Sequence, residues 1–190
     1  MEPCRSLALL AGSLGLIASL VALSTDFWFV AMGSTSSAHS GLWPSGHWET
    51  VAGKGERALM WEDGRWGMDT QKSHLHPASI HVTQSFCILA AVWGLVSVGF
   101  LVLSCIPSLT ATGRGPLVST ITAFAAALSL VVAMAVYTGE RWAQPQHPQI
   151  QTFFSWSFYL GWVSAILWLC AGALSLGAHR GARQPGYESL

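Results

Sequence analysis

Nine Lys/Arg and nine Asp/Glu side chains are spread so unevenly along this 190-residue chain that four long, predominantly apolar stretches hold no charged residue: 6–25, 73–113, 115–139 and 142–179. A hydrocarbon core of roughly 30 Å is crossed by about 20 helical residues, so each stretch is long enough to span a bilayer. In lipid every backbone N–H and C=O needs a partner within the protein, which leaves helices or a closed barrel. No stretch alternates apolar and polar residues as barrel strands do. The chain is therefore expected to be an all-α, four-span membrane protein, a single domain over residues 1–190 with spans near 7–23, 80–105, 117–138 and 153–178. Composition agrees: 52% of residues are hydrophobic and only 9% charged, against roughly a quarter charged in soluble domains.

The first stretch also admits a secretory-signal reading, because its apolar run ends in Ala22-Leu23-Ser24 with small residues placed for cleavage. Two features favour a retained span. Glu2 offsets Arg5, so the leading segment is not basic, and the apolar run is longer than most signal cores. Trp28, just past the span, suits an interfacial anchor.

An even number of spans places both termini on one side, with Arg5, Arg114, Arg180 and Arg183; the other side holds Lys54, Arg57, Arg65, Lys72 and Arg141. Four of those five lie deep in a long loop, 26–79, where charge influences topology less than charge beside a span. Cytosolic termini are expected. Within the loop, residues 54–78 carry eight charged side chains (Lys54, Glu56, Arg57, Glu62, Asp63, Arg65, Asp69, Lys72). This looks like a charged insertion, and its glycines and lack of strand alternation predict mobility.

Phe27-Trp28 after the first span, Gly41-Leu42-Trp43 in the long loop and Tyr159-Leu160-Gly161-Trp162 in the last span resemble the signature of the claudin and peripheral myelin protein superfamily. The resemblance covers nearly the whole chain outside the charged insertion. It implies a claudin-like four-helix bundle, with a small extracellular or lumenal β-sheet from loop 1, and it marks Trp28, Gly41, Leu42, Trp43, Tyr159, Gly161 and Trp162 as motif residues. Within the superfamily, residues 4–10, 116–120 and the fourth span most resemble a branch found in the granules of cytotoxic lymphocytes. That branch implies a cytolytic granule membrane and support of granule exocytosis during target killing. The competing class is a cell-surface adhesion or junction component, or an accessory subunit of a membrane complex. Claudins brace their extracellular sheet with two cysteines after Gly-Leu-Trp, and the loop here has none. All four cysteines, Cys4, Cys87, Cys105 and Cys170, lie in or beside spans. Cys4 and Cys105, near the expected cytosolic surface, are the candidate palmitoylation sites, with inert packing as the alternative.

Ion pathways need ionisable groups facing a route through the bundle, and here Asp26 and Glu140 sit at span ends. Phosphate-loop, nucleophile-elbow and zinc-protease motifs are absent from the sequence, so neither catalysis nor a cofactor is expected. His74, His76 and His81 lack a fourth ligand, and no metal site is expected. No nucleic-acid partner is expected either. Small residues four apart, Ala11/Gly15, Gly15/Ser19, Ala123/Ala127, Gly161/Ala165 and Ala173/Gly177, read as packing within the bundle, with homo-oligomer contacts the alternative.

The segment Gly186-Tyr187-Glu188-Ser189-Leu190 matches a tyrosine-based sorting signal, with Gly186 before Tyr187 and an apolar Leu190, as in lysosome-associated membrane proteins. Such a peptide binds a clathrin adaptor in extended form, Tyr and Leu filling separate pockets. A terminal-peptide groove of the PDZ type is the other expected reader. Membrane lipid is the remaining expected partner. His39, His47, His74, His76, His81 and His147 fall on the side away from the termini, where their protonation in an acidic granule would make the loop more positive. The chain contains no Asn, so N-linked glycosylation has no acceptor.

Overall fold

A computed structural model of the chain describes residues 3–32, 37–43, 77–105, 115–143 and 151–181. The elements run α1 (Pro3–Ser24), β1 (Phe29–Met32), β2 (Ser37–Ser40), α2 (Pro77–Cys105), α3 (Gly115–Trp142), β3 (Gln151–Phe154) and α4 (Trp156–Gly181). Each of the four helices is long and apolar enough to cross a membrane. Pro3, Pro77 and Pro116 all lie in the first turn of a helix, where a missing N–H leaves no intrahelical bond unmade. α4 follows Ser155, a residue type that favours helix starts; its carbonyl accepts from Phe158 N at 3.1 Å while its own N–H donates to the Trp28 carbonyl at 3.0 Å.

The helices form a ring in chain order: α1 packs on α2 and α4, and α3 packs on α2 and α4. Alanine dominates the interior. Ala90, Ala123, Ala126, Ala127, Ala165 and Ala171 are buried around Trp168, with Leu130 completing the cluster. In lipid, small residues let helix backbones approach closely, and this contact replaces the hydrophobic drive available in water. Trp168 is the exception in size and is 0% exposed. It fits because glycines face it. A Cβ placed on Gly94 would lie 2.4 Å from Trp168 Cζ2, and one on Gly15 would lie 3.4 Å from Cε2.

Hydroxyls fasten the helices in pairs. Ser19 and Ser164 share a hydrogen bond, Ser164 Oγ donates to the Gly15 carbonyl at 2.9 Å, and Trp168 Nε1 donates to Ser19 Oγ at 3.2 Å. Between α2 and α3, Ser97 Oγ donates to the Ser119 carbonyl at 3.0 Å and Ser119 Oγ to the Ser97 carbonyl at 3.2 Å. Ser175 Oγ on α4 reaches the Pro116 carbonyl on α3 at 3.1 Å. Interhelical bonds of this kind contribute about 0.6 kcal/mol each in lipid, so they fix helix register more than they add stability.

The strands form an antiparallel sheet in the order β2-β1-β3, with Phe29 opposite both Ser40 and Phe154. The expected small sheet is present, with β1 and β2 from loop 1 and β3 added from the connection between α3 and α4. One span boundary is corrected here. Phe153 and Phe154, expected inside the fourth span, are strand residues instead, paired with Val30 and Phe29. Hydropathy cannot separate two phenylalanines in a membrane-edge strand from the same pair opening a helix; the partner strand decides. A second correction concerns Ala173/Gly177. Both are exposed, and a Cβ on Gly177 would meet nothing within 4 Å, so this pair does not pack within the bundle. Gly161 does: its Cβ would lie 2.9 Å from Met134 Sδ. The charged stretch 54–78 lies outside the described residues.

Candidate functional site

The last carbonyls of a helix have no intrahelical donor and need partners from elsewhere. At the end of α1 three of them receive side-chain donors. Thr25 Oγ1 donates to the Val21 carbonyl at 2.8 Å, Trp28 Nε1 to Ala22 at 2.7 Å and Trp43 Nε1 to Leu23 at 2.8 Å. The two motif indoles therefore act as a cap on α1, presenting one N–H to a carbonyl and a large apolar face to the surroundings. Thr25 also shares a hydrogen bond with Ser157, which ties the end of α1 to the start of α4.

The turn at residues 41–43 is held by each of its members. Gly41 lies so close to Asp26 that a Cβ would fall 2.5 Å from the Asp26 Cα. Leu42 is buried in a cluster with Ala22, Trp28, Cys87, Ala133, Met134, Tyr137 and Phe158. Its carbonyl accepts from Gln84 Nε2 on α2 at 2.7 Å, and Gln84 Oε1 in turn sits 3.0 Å from His81 Nδ1. Trp43 completes the turn with its bond to Leu23.

Aromatic rings seal the same end of the bundle. Trp28 meets Tyr137 edge-on at 5.1 Å between centroids, and Phe154 stacks on Phe158 at 4.1 Å. The Arg141 guanidinium lies 4.4 Å from the Phe29 ring centroid and 5.2 Å from that of Tyr137. A cation over an aromatic face contributes about 0.5–1 kcal/mol at an exposed site and more when desolvated. On the outer side, His39 stacks on Phe27 at 4.6 Å and Phe27 on Trp156 at 6.1 Å. Phe27, Trp43 and Trp156 are all exposed, and Trp142 is 77% exposed, as expected of rings at a membrane–water boundary.

The structure thus brings Trp28, Gly41, Leu42 and Trp43 together in this cap. Tyr159 and Trp162 are exposed on α4, outside the cap's interior, while Gly161 faces Met134 on α3. Cys4 is exposed in the first turn of α1, and Cys105 is the last residue of α2. Gly186, Tyr187 and Leu190 lie outside the described residues, as do His47, His74, His76 and His147. His81 stands in the first turns of α2. Among the described residues no three His, Cys, Asp or Glu side chains converge as metal ligands would.

Sequence reasoning passed over Gln84 and the Thr25–Ser157 pair, and counted Arg141 only as a charge for orientation. Gln84 carried a usable signal: an amide within an apolar span is costly unless bonded, so it had to have a partner. Where that partner lies, 42 residues back at Leu42, no local pattern states.

This cap combines aromatic faces, bonds to backbone carbonyls and one stacked cation. A family model described as the PMP-22/EMP/MP20/Claudin family matches residues 5–175, spanning both the four helices and the capped end. The chain belongs to this family. It is 64% identical to Protein NKG7 of Homo sapiens over 190 residues, covering 100% of both chains. It is 62% identical to Protein NKG7 of Mus musculus over the same extent. More distantly, it is 29% identical to the lens fiber membrane intrinsic protein of Homo sapiens over 171 residues, 87% of this chain and 86% of that one. Family membership and the four helices agree on a multi-pass, claudin-like membrane protein. The cap is built from family motif residues, but its two indoles are tied to α1 without a cysteine in the turn.

Proposed function

We propose that this protein resides in the membrane of lysosome-related cytolytic granules, with both termini cytosolic, and supports granule exocytosis and target-cell killing through protein interactions rather than catalysis. The observation that carries the reading is the segment Gly186-Tyr187-Glu188-Ser189-Leu190. Its tyrosine and leucine are spaced to fill two pockets of a clathrin adaptor, the machinery that diverts membrane proteins to lysosomal compartments. The similarity to Protein NKG7 supports the same location by way of the lymphocyte-granule branch of the family.

Charge supports the orientation. Arg5 and Arg180 sit at the two helix ends that share a face with the termini, and His179 lies beside Arg180 in the last turn of α4. Basic residues close to spans favour the cytosolic side. The sheet and its cap then face the granule lumen, and after fusion the outside of the cell. An adhesion role of the claudin kind is the weaker reading, because the turn after Gly41-Leu42-Trp43 has no cysteine pair to brace a junction-forming sheet.

Tyr187→Ala tests the location directly in a cytotoxic lymphocyte line. The variant is expected to leave the granules and collect at the plasma membrane, with degranulation reduced. Lysosomal staining identical to that of the unmodified protein refutes the sorting role.

A further inference from the structure

We propose that the outer face of the sheet is a lipid-contacting surface, resting on the headgroups of the leaflet beside which α1 ends and α4 begins, so that the sheet lies against the membrane on one side of the bundle instead of standing free in water. The argument starts from alternation along the strands, whose successive side chains point to opposite faces. Phe29 and Phe154 are directly paired and face the bundle: Phe154 stacks on Phe158 at 4.1 Å, and the Arg141 guanidinium lies 4.4 Å from the Phe29 ring centroid. Val30, paired with both His39 and Phe153, therefore faces away, and Met32 follows it on the same side.

The face of an antiparallel sheet that is turned to water is ordinarily polar. This one is not. Phe153 is 44% and Met32 49% exposed, and the three strands together carry no Asp, Glu, Lys or Arg. Its polar side chains are Ser37, His39 and Gln151, and the His39 ring is stacked on Phe27. A contiguous exposed apolar patch of this kind marks a surface made for protein or membrane.

Its position favours the membrane. At the base of the face the Phe27 ring stacks on Trp156 with centroids 6.1 Å apart. Trp156 opens α4, and Tyr159, Val163 and Ile166 follow it at spacings of three and four, which puts all four on one side of the helix. All four are exposed, and that side is the outward surface of a membrane-spanning helix. The apolar face of the sheet thus continues, through a stacked pair of rings, a surface that lipid already covers. Aromatic rings are the side chains enriched at this depth, and water among the headgroups still reaches the backbone groups at the sheet's edges. Dimensions agree. Met32 is three residues beyond Phe29, about 10 Å along a strand, and interfacial elements bury an apolar face by about 5–10 Å at the headgroup boundary. The contact is one-sided, because the inner face of the sheet packs on α3 and α4 through Tyr137 and Phe158.

Photocrosslinking of the purified full chain in phosphatidylcholine vesicles tests this. The photoreactive analogue p-benzoyl-phenylalanine is placed singly at Phe153, at Met32 and, as the lipid-facing control, at Ile166. All three side chains are exposed, so the larger ring needs no space inside the fold, and elution identical to that of the unmodified chain confirms folding. After illumination, intact mass is expected to rise by one phospholipid at Phe153 and at Met32, as at Ile166. A lipid adduct at Ile166 that is missing from either sheet position overturns the proposal. So does a covalent dimer, which would give the face to a second copy, or a crosslink confined to the chain itself, which would give it to another segment. The inference rests on the spans and the sheet alone, so its failure leaves the granule location standing.

Discussion

Replacing Gly94 by alanine asks the Trp168 slot to hold one methyl more than it can. The added Cβ would lie 2.4 Å from Cζ2, 2.8 Å from Cη2 and 3.1 Å from Cε2 of the indole. Ordinary carbon contacts sit at about 3.5–4.0 Å, so the ring would have to retreat by about 1 Å. It has little room to retreat, because Gly15 already stands at contact distance, a Cβ there falling 3.4 Å from Cε2. Overpacking of this kind costs about 1–3 kcal/mol, and a rigid slot of glycine backbone and alanine belongs at the upper end. Alanine regains up to about 1 kcal/mol of helix propensity, leaving a net loss of about 2 kcal/mol. For a chain of this size that corresponds to a fall in melting temperature of about 4–8 °C. Gly99→Ala is the internal control, since it lies on the same helix and a Cβ there meets nothing within 4 Å. Thermal unfolding in detergent, followed by fluorescence-detected size exclusion, should show the first variant destabilised and the second unchanged or slightly stabilised. A Trp168→Phe background should relieve much of the Gly94→Ala penalty, because close neighbours are non-additive. If the two alanine variants melt together, the slot is not tight and the packing argument fails.

Gly41→Ala should be worse tolerated than Gly161→Ala, because the first collides with the Asp26 backbone at 2.5 Å and the second with the flexible end of Met134 at 2.9 Å; the yield of monodisperse protein measures the difference. Trp28→Phe keeps most of the buried ring but leaves the Ala22 carbonyl without its donor. The expected loss is about 1–3 kcal/mol, readable as a lower melting temperature, and no loss would show that the capping bond is dispensable. Arg141→Lys keeps the charge but not the flat guanidinium that stacks on Phe29 and Tyr137. It should cost about 0.5–1 kcal/mol, with faster hydrogen exchange confined to β1 and β3, and a uniform change across all helices would contradict the local role.

The lipid-spanning architecture could be read directly from the chain, because four uncharged stretches in hydrocarbon must be helices or barrel strands, and none alternates as a barrel strand does. The same holds for the importance of Trp28 and the residues 41–43, whose identities recur as a motif. Other features were visible as residues but not as contacts. Gln84 is an amide in an apolar span, yet nothing nearby in sequence names Leu42 as its acceptor. Phe153 and Phe154 have the hydropathy of a span and become strand only because Phe29 and Val30 stand beside them. Ala173/Gly177 and Gly161/Ala165 share one spacing, but the second pair faces the interior and the first faces outward.

Charge distribution and apolar length thus determined by themselves that this protein threads a membrane four times, since the energy of burying charge in lipid depends on residue type and not on neighbours. The tertiary structure alone decided which indole N–H caps which α1 carbonyl, how a tryptophan lodges between glycines, and that a glutamine on α2 holds the Leu42 carbonyl. Those outcomes rest on directional bonds and close contacts between segments far apart in the chain, and their geometry exists only once the helices have packed.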